Sequence, residues 1–170
     1  PSPYSIHKTL SKLPAAHYLE VDATGLKITR YWNFLHIPTN ESWNNRSEND
    51  LLDELDSIVS RHVKQCMISD VPLGAFLSGG IDSSLMVAMM AKHSSAPIKT
   101  FTIGFEEKAY DESSDAQKVA SFLGTDHYCE HLRVDDLLKL FPTFLENYDE
   151  PFFDSAAFPT MAVSRLARKH

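Results

Sequence analysis

Ser78-Gly79-Gly80-Ile81-Asp82-Ser83-Ser84 is the stretch whose residue types and spacing suit chemistry. It stands between an apolar run, Pro72-Leu73-Gly74-Ala75-Phe76-Leu77, and a helical pattern, Leu85-Met86-Val87-Ala88-Met89-Met90-Ala91. A strand that hands over through glycines to a helix start can hold phosphate. Two glycines let an anion approach the backbone without Cβ interference. The first helical N–H groups, about four of them, lack intrahelical acceptors and carry partial positive charge. Ser78, Ser83 and Ser84 add hydroxyl donors. Asp82, the only carboxylate in the stretch, can hold a divalent cation against the same phosphate oxygens. The pattern predicts a nucleotide site. A Ser/Gly turn that only caps a helix is the plainer alternative, and the flanking strand and helix favour the first reading.

Two common nucleotide loops are excluded. A Walker loop places a lysine directly after its last glycine, whereas Gly80 is followed by Ile81 and Asp82 and the next lysine is Lys92. A dinucleotide fingerprint needs a third glycine three residues on, and that position is Ser83.

The elements that must position the loop can be read on either side of it. Upstream, Ser47 is a suitable N-cap for a long helix in which Leu51, Leu52, Leu55, Ile58, Val59, Val63, Cys66 and Met67 form one apolar stripe. His62 lies beside that stripe and reads as a boundary residue, since no second metal ligand sits at helical spacing. Downstream, a helix to about His93 and a turn at Ser94–Pro97 lead into Lys99–Phe105, a near-continuous apolar and β-branched run that suits a strand buried on both faces. Strand, helix and strand make a βαβ unit. Residues 106–111 then form a charged loop at the strand's carboxyl end, where open α/β sheets place their ligands.

Ser113–Leu123 reads as a helix with Gly124 at C′, and Glu112 and Asp115 as acids complementing its dipole. His127–Leu132 alternates like a strand. Its His127, Cys129 and His131 share a face, but they lack the CxxC or HxxxH pairing of zinc sites, so a structural role is expected. Val134–Asn147 predicts a helix divided or kinked at Pro142. Asp154 or Ser155 can cap a last helix over 156–169, with Pro159 in its first turn. Before all of this, residues 13–22 and 23–32 read as two short strands around a Gly25 turn, and residues 38–46 as a polar linker.

Composition sets the frame. The 170 residues are 43% hydrophobic and 23% charged, ordinary for a globular protein and enough for a core. A net charge of −7 argues against nucleic acid or an anionic membrane as partner. Two cysteines, Cys66 and Cys129, and no leader pattern fit a reducing, cytoplasmic setting. No apolar run approaches the roughly 20 residues of a membrane-spanning helix.

The loop resembles the SGGxDS signature of the pyrophosphatase-type ATP-binding enzymes. The resemblance extends through Asp70–Ser84, then Phe101-Thr102-Ile103-Gly104-Phe105 and Tyr110-Asp111-Glu112, and is most specific to the glutamine-hydrolysing asparagine synthetase family. Residues 47–170 are similar to the first part of that family's synthetase domain. Residues 1–37, with Pro14-Ala15-Ala16-His17-Tyr18 and Tyr31-Trp32, resemble the last strands of its glutaminase domain.

The resemblance implies an α/β fold, a parallel sheet with helices on both faces as in the adenine nucleotide α-hydrolases, preceded by a β-hairpin remnant. It implies ATP and Mg²⁺ as cofactors, with Phe76, Leu77 and Ile103 against adenine and ribose. Ser78, Gly79, Gly80, Asp82, Ser83 and Ser84 would then hold the pyrophosphate, and Asp82 the metal. The implied reaction amidates aspartate to asparagine through β-aspartyl-AMP, using ammonia released from glutamine by the glutaminase domain; a homodimer is compatible with it.

Against the family pattern, the catalytic amino-terminal cysteine and the later SG[ED]G-type loop are absent from these 170 residues, so the expectation is a fragment with weak or no turnover of its own. Pro151-Phe152-Phe153-Asp154 also departs from the threonine- and arginine-containing stretch of bacterial relatives. The acceptor carboxylate therefore stays open. Other ATP pyrophosphatases such as the GMP or NAD synthetases, and a non-catalytic nucleotide-binding or docking module, remain alternatives.

Overall fold

A computed structural model describes residues 2–36, 45–150 and 154–170. The chain divides into two compact units, Pro1–Ser47 and Glu48–His170.

The first unit is a hairpin. Strands β1 (His17–Asp22) and β2 (Gly25–Arg30) pair antiparallel, with Asp22 opposite Gly25. The turn closes because Asp22 Oδ1 accepts hydrogen bonds from the Thr24 amide at 2.7 Å and the Thr24 hydroxyl at 2.6 Å. The hydroxyl bond chiefly, then the amide, holds the Asp22 carboxyl below the usual carboxylate range. Gly25 takes a φ of 134°, which a residue with a side chain would resist. A single 3-10 turn, Phe34–His36, follows. Most of the predicted linker, residues 38–44, lies outside the described residues, as do Pro1 and Ile37.

The second unit carries a three-stranded parallel sheet in the order β3-β4-β5, formed by Gly74–Phe76, Lys99–Phe105 and Asp126–Leu132. Helix α1 (Glu48–Cys66) precedes the sheet; α2 (Ile81–His93) crosses from β3 to β4, and α3 (Ser113–Leu123) from β4 to β5. Strand β3 is shorter than the apolar run that announces it. Pro72 has no N–H to give a ladder, yet Leu77 still donates its amide to the Phe101 carbonyl at 2.9 Å, so pairing continues to the edge of the glycine loop.

Alternation along β4 sorts the two layers. On one face, Leu77, Val87, Ala116 and Ala120 form a core between the sheet and α2 and α3, and Val63, Met90 and Ile98 extend it to α1. On the other face, Phe101 packs on Val163 and Leu166 of α6 (Ala157–Lys169). Leu132 packs on Leu140 and Ala162 in the same layer. The fold is thus α/β with a parallel sheet between helices, plus a small hairpin.

Buried polar groups on β4 are satisfied. The Thr100 hydroxyl bonds Thr125 Oγ1 and His127 Nδ1, each at 2.9 Å, and the Thr102 hydroxyl donates to the Leu77 carbonyl. The predicted 134–147 helix is two helices, α4 (Val134–Lys139) and α5 (Phe141–Asn147). Pro142 falls in the first turn of α5, where its missing N–H costs no intrahelical bond. Asp154 Oδ1 accepts the Ala156 amide at 2.8 Å at the entrance to α6, which begins at Ala157, so Pro159 also sits in a first turn.

Candidate functional site

The glycine loop follows β3 at the carboxyl edge of the sheet and opens directly into α2. Gly80 is the N-cap of α2 and has no side chain to close it. By position, the first N–H groups of α2 have no intrahelical acceptor. The Gly80 amide donates to Ser78 Oγ at 3.3 Å, while no capping side chain bonds the amides of Ile81, Asp82 and Ser83. Such a helix start favours an anion.

The two serines shape the loop from inside. Ser83 Oγ accepts the Ser78 amide at 3.2 Å, lies 3.0 Å from Ser78 Oγ and donates to the Gly80 carbonyl at 3.2 Å. Ser84 is turned the other way, because one residue further along a helix rotates the side chain by about 100°. Its hydroxyl is enclosed without a hydrogen-bond partner, and the residue lines an apolar groove with Leu85, Ala88, Val119 and Phe122. Gly79 has a φ of 83° and touches the start of α3: a Cβ there would lie 2.7 Å from the Ala116 amide nitrogen.

Beside the loop lies a cleft of about 310 Å³. Phe76, Leu77, Ser78, Ser83 and Ile103, all singled out by the sequence, line it. Gly79, Gly80 and Asp82 border the same loop without lining this cavity; Asp82 is exposed on the first turn of α2. The remaining walls come from places the loop motif does not indicate: Phe101, Thr102 and Phe105 of β4, Tyr110 and Glu112 of the following turn, and Pro159, Thr160 and Val163 of α6. The rule that ligands gather at strand carboxyl ends points to the residues around Phe105–Glu112. No local signal identifies α6, which reaches the cleft through tertiary packing.

The donor set suits a phosphate-bound magnesium. Hard oxygen ligands, one or two carboxylates and substrate phosphates, are the usual coordination of that ion, and Asp82 supplies one carboxylate beside an uncapped helix start. Among the described residues no group of three or more His, Cys, Asp or Glu side chains is gathered as a metal site by itself.

His127, Cys129 and His131 alternate along β5: His127 bonds Thr100, whereas Cys129 and His131 both stand near Asp111. Burial pushes the His127 imidazole down and the Cys129 thiol up, the latter helped by the Asp111 charge. No helix among the described residues is long and apolar enough to cross a membrane.

Comparison with known proteins places these features in a family. The family described as asparagine synthase matches residues 54–170. A Methanocaldococcus jannaschii protein provisionally named glutamine-hydrolysing asparagine synthetase 2 is 38% identical over 170 residues, covering 99% of this chain and 32% of its own. The glutamine-hydrolysing asparagine synthetase 1 of Bacillus subtilis is 36% identical over 123 residues, 72% of this chain and 19% of its own. A Mycobacterium tuberculosis protein, also provisionally named as such a synthetase, is 33% identical over 174 residues, 100% of this chain and 26% of its own. The chain thus spans about a third or less of the length of these relatives. The chain belongs to the asparagine synthase family.

Proposed function

We propose that the full-length protein carries out ATP-dependent amidation of aspartate to asparagine through β-aspartyl-AMP, with ammonia drawn from glutamine. The observation that supports this most directly is the uncapped start of α2, beside a cleft that Ser78 and Ser83 line together with Phe76, Leu77 and Ile103. One end of that arrangement is polar and suits phosphate; the other is apolar and suits a base.

In this reading the amides of Ile81, Asp82 and Ser83, with the two hydroxyls, hold the β- and γ-phosphates. They stabilise the charge that develops as pyrophosphate leaves, and being fixed in place they need little reorganisation. Magnesium, when bound by Asp82 and phosphate oxygens, supplies further neutralisation of that charge. The aspartate side-chain carboxylate attacks the α-phosphorus, the bond to the bridging oxygen breaks, and pyrophosphate departs. Ammonia then attacks the acyl carbon, and AMP leaves with the oxygen it gained, giving the amide after loss of a proton. A glutaminase domain ending in the β1–β2 hairpin, residues 1–37, would release that ammonia, and residues 47–170 would begin the synthetase domain. A cytoplasmic setting and a homodimer complete the reading.

The test is pyrophosphate release by the full-length protein, with Mg-ATP and glutamine, across a panel of carboxylate acceptors. Aspartate-dependent release with asparagine formed is the expected result. Release with another carboxylate in place of aspartate would move the protein to a different amidation or cyclisation on the same scaffold. Residues 151–153, whose sequence leaves the acceptor open, lie outside the described residues. Mg-ATP binding without release for any acceptor would favour a non-catalytic nucleotide module.

A further inference from the structure

Between Tyr110 and Glu112, both in the cleft wall, Asp111 does not line the cavity. Its Oδ1 accepts the Phe105 amide at 3.3 Å, at the end of β4, and the Ser113 amide at 3.1 Å, at the start of α3. One carboxylate oxygen thus clamps both ends of the seven-residue turn from Glu106 to Glu112. Hydrogen bonds from Ser113, its side chain first, hold the Asp111 carboxyl below the usual range, with smaller help from the Phe105 amide and the His131 charge.

The clamp has a second support. The Ser113 hydroxyl lies 3.3 Å from His131 Nε2 on β5. Gly104 leaves room for the group: a Cβ there would lie 2.6 Å from His131 Cδ2 and 3.0 Å from Asp111 Oδ1. From this anchor α3 starts, with the Glu112 carbonyl accepting the Asp115 and Ala116 amides at 3.1 and 3.0 Å. Those are the backbone groups against which Gly79 rests. One turn therefore touches the cleft at Tyr110 and Glu112 and the phosphate loop at Gly79.

We propose that Asp111 is a positioning residue for the nucleotide site: it anchors the β4–α3 turn so that Tyr110 and Glu112 form the cleft wall and the first turn of α3 backs Gly79. The inference rests on the nucleotide reading of the cleft. It assigns Asp111 no contact with substrate. A purely structural role would lower stability alone, whereas a positioning role shifts nucleotide affinity while the chemical step is left largely intact.

The experiment compares Asp111→Ala and Asp111→Asn with the unsubstituted full-length protein. The readouts are the Kd for Mg-ATP by calorimetry, the split between KM for ATP and kcat in pyrophosphate release, and hydrogen exchange at the Phe105 and Ser113 amides. Asp111→Ala is expected to raise Kd and KM about tenfold, the size of one lost charge-assisted hydrogen bond, with faster exchange at both amides. The kcat stays within about twofold, because the loop's own donors remain in place. Asp111→Asn keeps the accepting oxygen and loses the charge, so a rise of about threefold is expected, and this variant carries the test if Asp111→Ala does not fold. Gly104→Ala, which crowds the clamp with Asp111 intact, is expected to raise KM in the same way. Unchanged Kd and KM in a folded Asp111 variant, or loss of kcat alone, would overturn the inference while leaving the nucleotide reading standing. Absence of Mg-ATP binding by the unsubstituted protein would overturn the nucleotide reading, and this inference with it.

Discussion

Gly79 and Ala116 approach so closely that a Cβ on the glycine would stand 2.7 Å from the alanine amide nitrogen. The second glycine of the pair is different. Gly80 has a φ of −70°, and a Cβ there would meet only Ser78 Oγ, at 3.4 Å. The two glycines therefore serve separate ends. Gly79→Ala is expected to destabilise the protein by roughly 1–3 kcal/mol from the left-handed backbone alone, with the clash adding to it. Gly80→Ala is expected to leave the unfolding midpoint nearly unchanged but to weaken Mg-ATP, since the new methyl group crowds an approaching anion. Thermal unfolding with and without Mg-ATP measures both. Equal destabilisation by the two substitutions would contradict this division.

Asp82 is exposed on the first turn of α2, and its carboxylate has no hydrogen bond or ion pair among the described residues. Asp82→Asn in the full-length protein is therefore expected to abolish pyrophosphate release with little change in glutaminase activity or in the unfolding midpoint. The isosteric amide removes the negative charge a magnesium ion needs. Glutamine hydrolysis and pyrophosphate release, assayed in the same preparation, give the comparison. Equal loss of both activities, or of neither, would remove Asp82 from its proposed role.

His127 offers a pH test. Its ring is lowered in pKa by burial, Nδ1 bonds Thr100, and Nε2 is enclosed without a partner. A proton added to the folded ring would place a charge where nothing receives it. Because the folded-state value is depressed, the unfolded chain takes up the proton first, at about pH 6.5. The stabilising contribution is complete above that pH and is lost as pH falls toward the lower folded-state value. His127→Asn is expected to flatten the fall in unfolding temperature between pH 7 and pH 5 relative to the native protein. Parallel profiles would assign the acid sensitivity to other groups.

Much of this architecture was legible because local rules and tertiary demands agreed. Apolar spacing marked α1, the β-branched run marked β4, and Gly124 ends α3 with a φ of 66°. The loop from Ser78 to Ser83 was legible for the same reason: glycines, small hydroxyls and a helix start leave few other geometries. Ser84 was not, since adjacent serines in a sequence do not reveal which one a helix turns inward. Nor were Pro159, Thr160 and Val163, whose place in the cleft depends on α6 folding back across Phe101. The Asp111 clamp is legible only in part: Ser113 lies two residues away, but Phe105 is met through the folded turn and His131 through the pairing of β4 with β5.

The docking of α6 separates two kinds of interaction. Glu130 on β5 meets Arg165 at 3.3 Å and Lys169 at 3.2 Å, but all three side chains keep substantial exposure. Leu166, between those cations in sequence, is 5% exposed and packs on Phe101 and Val163. Solvent screening limits the ion pairs, so Glu130→Gln is expected to cost less than about 1 kcal/mol, and less again at high salt. Leu166→Ala removes buried methyl groups and leaves a cavity, at a cost of about 2–5 kcal/mol. Denaturant unfolding of both variants at low and high salt measures the contrast. If apolar packing holds α6 in the cleft wall, Leu166→Ala also raises KM for ATP, while Glu130→Gln leaves it unchanged. A larger stability loss from Glu130→Gln would mean that charge, rather than burial, fixes the helix that closes the cleft.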